Sequence, residues 1–96
     1  MRYELSRQAS TKIDDIAAYT DAHFGEAQTE EYLGGLYYSF DLLCDNPKMG
    51  RLWDRDKRCY IFRSHYVFYR LFDDHILITD IRNTRQELPT TGNMPP

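Results

Sequence analysis

The sequence predicts a small α+β domain in which a helical hairpin covers one face of an antiparallel sheet. Three observations predict it. Ninety-six residues suffice for one hydrophobic core and not for two. Apolar residues recur at helical spacing before Pro47 and gather into strand-like aromatic and branched runs after it. Turn-forming clusters, Asn46-Pro47-Lys48-Met49-Gly50 and Asp73-Asp74, separate those regimes and runs.

Tyr3 and Leu5 alternate with Arg2 and Glu4, which predicts a short first strand. Ala9, Ile13, Ile16, Ala17, Thr20 and Phe24 then recur at three- and four-residue intervals, the signature of one apolar helix face. Ser6 or Ser10 supplies its cap, and Gly25 stands where a left-handed residue ends a helix. A second helix is predicted from about residue 26 to 45, with its stripe at Tyr32, Leu33, Leu36, Tyr37, Phe40, Leu43 and Cys44. The Asn46-Pro47 step stops it. Gly34-Gly35 inside this helix costs about 1 kcal/mol per glycine relative to alanine, and the expected return is close approach of the first helix.

Residues 58–63 and 66–72 read as two strands of a hairpin joined at Ser64-His65, and residues 75–82 as a third. Trp53, beside Asp54 and Arg55, is expected in a polar loop as an exposed anchor. Residues 89–96 hold glycine, asparagine and three prolines with little to bury, so residues 1–88 are expected to form the domain and 89–96 a flexible tail.

Composition narrows the function. With 42% hydrophobic and 15% aromatic residues the chain is not a disordered segment. Its mean hydropathy of −0.67 and short apolar runs predict no membrane span. The first residues lack a secretory h-region, so a cytoplasmic protein is expected. Cys44 and Cys59 are too few for a disulfide framework, and His23, His65 and His75 have no metal-ligand spacing; neither metal nor cofactor is expected. The net charge of −3 argues against a general polyanion binder. Residues 1–48 carry nine acids against four bases, whereas residues 49–96 carry eight bases against six acids, and seven of those eight are arginine. Arginine suits bidentate contact with carboxylate or phosphate.

Several short motifs then occur in a particular order. Leu5-Ser6 with Ala9 is followed by Asp15-Ile16, Tyr19-Thr20, Phe24-Gly25, Ala27-Gln28 and Tyr32-Leu33. Asn46-Pro47 with Gly50-Arg51 comes next, then the run from Ser64 through Arg70. Taken together, from about Tyr3 to Glu87, this order resembles the ParE toxins of type II toxin–antitoxin modules, within the RelE/ParE superfamily. The expected fold is therefore RelE/ParE-like. The ending departs from the resemblance: Asp80 stands where a base is common, and Asn83 where a histidine is common.

The resemblance implies two branches of mechanism. ParE-like toxins bind DNA gyrase and are not thought to catalyse a reaction; RelE-like toxins are ribosome-dependent mRNA endonucleases. The tail after Ile81 has neither Tyr nor His to serve as acid or base, which favours gyrase inhibition with no catalytic residue. A degenerate toxin that only binds its antitoxin is a further alternative. Arg63, Arg82 and Arg85 are the expected target-binding residues, although Arg82 and Arg85 also have Asp80 and Glu87 as neighbours for ordinary surface pairs. The expected partner is a ParD-like antitoxin, through which operator DNA is reached indirectly. Its docking residues are expected among Trp53, Tyr60, Phe62, Tyr66 and Phe68, because strand alternation points some of these aromatics away from the helices.

Overall fold

Ser6 decides where the first helix begins. Its hydroxyl accepts the Ala9 N–H at 3.0 Å and donates to the Thr79 carbonyl at 2.8 Å, so one side chain caps the helix and ties it to a strand. The computed structural model describes residues 1–85. The expected tail of residues 89–96 and the expected Arg85–Glu87 pairing lie outside the described residues. Four elements precede the central hairpin: strand β1 (Arg2–Leu5), helix α1 (Arg7–Phe24), helix α2 (Glu26–Asp45) and strand β2 (Arg51–Asp54). Strands β3 (Lys57–Phe62), β4 (His65–Leu71) and β5 (His75–Asn83) follow.

Gly25 is the whole connection between the helices. At φ 90° it occupies backbone space that residues with a side chain rarely adopt. Its N–H closes α1 on Asp21 O at 3.0 Å, while its carbonyl accepts from the Thr29 N–H and hydroxyl to open α2.

The sheet runs β1-β5-β4-β3-β2. It is mixed, since β1 pairs parallel to β5 while every other neighbour is antiparallel. The purely antiparallel meander of β3, β4 and β5 is thus extended at both edges. Leu36, Phe40 and Leu43 of α2, with Ala9 and Ile13 of α1, pack on Val67, Tyr69, Ile76, Ile78 and Ile81 to form the main core. A bulge shapes this face: Phe68 pairs with Asp80 but Tyr69 with Ile78, which leaves Thr79 as the extra residue. Strict alternation from Ile76 and Ile78 would turn Asp80 inward. The bulge instead turns Ile81 into the core and Asp80 away from it.

Three expectations are corrected. Trp53 is not in a loop; it belongs to β2 and is only 4% exposed. A register irregularity between Leu52 and Asp54 swings its ring over the sheet face opposite the helices, onto Cys59 and Phe68. The glycine pair of α2 does not admit α1: a Cβ at Gly34 would meet nothing within 4 Å, whereas one at Gly35 would lie 2.8 Å from Phe62 Cζ. The close approach is therefore to β3, and at one glycine only. Finally, the apolar stripe of α1 is buried only at Ala9 and Ile13; Phe24, at its far end, is 67% exposed because α1 outruns the sheet.

Candidate functional site

Where α1 outruns the sheet it leaves an open groove of about 750 Å3 between the helical hairpin and the sheet end. Each wall has its own chemistry. The helical wall presents Ile16, Tyr19, Phe24 and Tyr32. Tyr19 is held by His23 one turn on, whose ring stacks on it at 4.0 Å while Nδ1 meets the Tyr19 carbonyl at 2.8 Å. The opposite wall is polar. It is built from the β3–β4 turn, Arg63-Ser64-His65, lying beside the end of β5, Asn83 and Arg85. The ladder brings these segments together, since His65 pairs with Asn83 and the Thr84 N–H donates to Ser64 O at 2.8 Å.

Tyr32 joins the two walls. Its hydroxyl lies 3.2 Å from Ser64 Oγ and shares a hydrogen bond with His65 Nδ1. Burial lowers the pKa of His65 below the usual imidazole range, so the ring is neutral near pH 7. Arg63 sits at φ 49°, a left-handed conformation at the first position of a two-residue hairpin turn. From there its guanidinium lies 5.7 Å from the Tyr32 ring centre and 5.4 Å from that of Phe62, with Glu31 at 3.6 Å. Arg85 is exposed at the rim.

Arg82 faces elsewhere. It lines a smaller cavity of about 230 Å3 on the opposite sheet face, with Trp53, Lys57, Phe68 and Asp80. Its Nε donates to Asp80 at 2.8 Å, and Lys12 reaches the same carboxylate at 3.2 Å. Burial opposes ionisation of Asp80, but the hydrogen bonds from Arg82 and Lys12 outweigh it and the pKa falls below the ordinary carboxylate value. The expected salt bridge between Arg82 and Asp80 is present.

Of the three expected target-binding arginines, the structure therefore brings Arg63 and Arg85 into one groove and sets Arg82 apart. The five expected antitoxin-binding aromatics do not share a face. Tyr60 and Phe62 pack against the main core, while Trp53 and Phe68 are buried in a second cluster with Tyr66 against them. Trp53 thus covers Cys59 and Phe68 on the outward side of the sheet, while Ile61 on that side stays exposed. None of the five is among the groove's lining residues. Sequence reading missed Tyr19, Tyr32 and His65 as groove residues. Tyr32 and His65 are 33 positions apart, and no local pattern signals their meeting. Among the described residues, no group of three or more His, Cys, Asp or Glu side chains is arranged to hold a metal ion, and no helix is long and apolar enough to cross a membrane.

The fold and its groove define a class: a small mixed-sheet domain whose helical hairpin and sheet end bound an open groove. Comparison with known proteins makes the class specific. The family profile described as "ParE toxin of type II toxin-antitoxin system, parDE" matches residues 3–88. Toxin ParE1 of Caulobacter vibrioides is 34% identical over 73 residues, covering 72% of this chain and 75% of the relative. Toxin ParE1 of Mycobacterium tuberculosis is likewise 34% identical over 73 residues, covering 73% and 74%. A solved structure titled "Chromosomal ParDE TA system from P. aeruginosa" superposes with a TM-score of 0.77 at 17% identity, over 88% of this chain and 97% of that one, and so shares the fold. The chain belongs to the ParE toxin family of type II toxin–antitoxin systems.

Proposed function

We propose that this ParE-type toxin inhibits DNA gyrase by direct protein binding, without catalysing a reaction, and is neutralised by a ParD-like antitoxin. The observation that carries the reading is the convergence of Arg63 and Arg85 on an open groove whose other wall is exposed aromatic surface. Exposed tyrosine and phenylalanine beside arginine is the composition of a protein-docking surface. Arg63 and Arg85 contact the target from this groove, and Arg82 contacts it from the opposite sheet face. The antitoxin assignment draws on family membership and on the ParDE title of the similar structure.

The test is to induce the chain with and without its neighbouring open reading frame, measuring growth, supercoiling by purified gyrase, and mRNA integrity. Growth arrest with blocked supercoiling and intact mRNA is expected. Arg85→Glu is expected to weaken gyrase inhibition at least about tenfold, as for loss of a docking arginine, while antitoxin affinity changes little. Unimpaired supercoiling at high toxin concentration overturns the reading. One observation favours a second reading, a RelE-like ribosome-dependent endonuclease: the groove holds a neutral imidazole and a phenol, His65 and Tyr32, beside Arg63 and Arg85. Under that reading mRNA is cut on ribosomes and gyrase is untouched.

A further inference from the structure

The groove differs in charge from the molecule that carries it. The whole chain has a net charge of −3, yet the groove's lining holds three cations, Lys12, Arg63 and Arg85, against one carboxylate, Asp15. Lys12 is paired with Asp80 at 3.2 Å, and Arg63 with Glu31 at 3.6 Å while its guanidinium lies against ring faces. The described residues form no ion pair with Arg85. Its backbone N–H donates to Asn83 Oδ1 at 2.8 Å, which pins the main chain there, and the residue is exposed at the groove's rim. The Ser64 hydroxyl lies on the same polar wall.

Across from these donors, Tyr19 and Phe24 are 60% and 67% exposed. Exposed rings across a groove from Arg63 and Arg85 meet the two requirements of a single nucleic-acid strand: stacking platforms for bases and charge for the backbone. We propose that this groove binds a short single-stranded segment of nucleic acid, with phosphate at Arg63 and Arg85 and bases on Tyr19 and Phe24. A duplex, with its bases already stacked, has no use for the aromatic wall. The site does not depend on gyrase being the target, and it places the toxin in direct contact with an unpaired strand.

The full chain would be titrated against roughly twelve-nucleotide labelled oligothymidylate and oligouridylate, and against a duplex of the same length, by fluorescence anisotropy at about 50 mM salt. Saturable binding of one or both single strands is expected, with the preferred sugar identifying DNA or RNA as the source. Affinity is expected to fall as salt rises, because phosphate contacts release counterions. Arg63→Glu and Arg85→Glu are expected to weaken binding about tenfold or more, and Phe24→Ala about fivefold. Arg7→Glu, on the exposed first turn of α1, is expected to change it less than about twofold. Thermal melts of each variant separate loss of binding from loss of fold. Absence of saturable binding overturns the proposal, as does a duplex bound equally well or an equal loss with Arg7→Glu. So does capture of an acidic amphipathic peptide at the groove where the oligonucleotides fail. Because no gyrase is present, failure here leaves the gyrase reading standing, and gyrase insensitivity leaves this one.

Discussion

At the scale of single residues, Gly34 and Gly35 make the plainest contrast. Both carry the helix-propensity cost of about 1 kcal/mol relative to alanine. Only Gly35 has a steric reason to lack a side chain, since Phe62 Cζ would lie 2.8 Å from its Cβ. Phe62 is itself packed against the main core and cannot retreat freely. Gly34→Ala is therefore expected to raise stability by about 1 kcal/mol. Gly35→Ala is expected to lose that gain and destabilise. Paired denaturant titrations check both, and equal effects at the two positions would refute the packing argument. Buried Cys59 makes a related point, because desolvation pushes its thiol up to about 12 and leaves it an inert hydrophobe on the Trp53 side of the sheet.

At the scale of elements, Tyr69 shows how a strand holds a loop in place. Its hydroxyl, reaching out of β4, donates to Pro47 O at 2.7 Å and accepts the Gly50 N–H at 2.9 Å. Burial raises the pKa of this phenol, the ring is fully buried, and so the loop between α2 and β2 is pinned to the core. Tyr69→Phe keeps the ring but strands a buried N–H and a carbonyl. It is expected to cost about 1–3 kcal/mol, read as a lower denaturation midpoint at unchanged slope. A neutral result would mean that water replaces the hydroxyl. β5 plays the corresponding role on the other side. β1 pairs only with its first half, His75 to Ile78, and Ser6 and Lys12 of the helical segment bond the carbonyls of Thr79 and Ile81 beyond. That edge is covered rather than left open to further strands.

At the scale of the whole molecule, the groove links stability to pH through His65. Its folded pKa lies below the ordinary histidine value because burial disfavours the imidazolium. The unfolded chain therefore binds more protons between the folded and unfolded pKa values, and stability rises with pH across that window. Lowering the pH from about 7 to the acid side of about 6.5 is expected to lower the melting temperature, and His65→Gln is expected to flatten that slope. Melts of both proteins across this range check it; parallel curves would remove His65 as the cause. The same variant breaks the Tyr32 bond that joins the helical hairpin to the sheet end, so oligonucleotide affinity and gyrase inhibition are informative readouts on it.

The sequence by itself determined the helices, their caps and stops, the hairpin strands and the family, because each depends on neighbours a few positions apart. Ser6 caps, Gly25 turns and Pro47 terminates through local backbone geometry alone. Only the tertiary structure decided the rest. The parallel pairing of β1 with β5 joins residues more than 70 positions apart, and the Thr79 bulge exists only against β4. Trp53 looked exposed because its sequence neighbours are charged, yet a bulged edge strand carries it onto Phe68. Tyr32 and His65 meet only after α2 has packed on the sheet. Hydrophobic spacing states which face of an element is buried; where that face ends, and what opens beyond it, depends on how far each element reaches past the next.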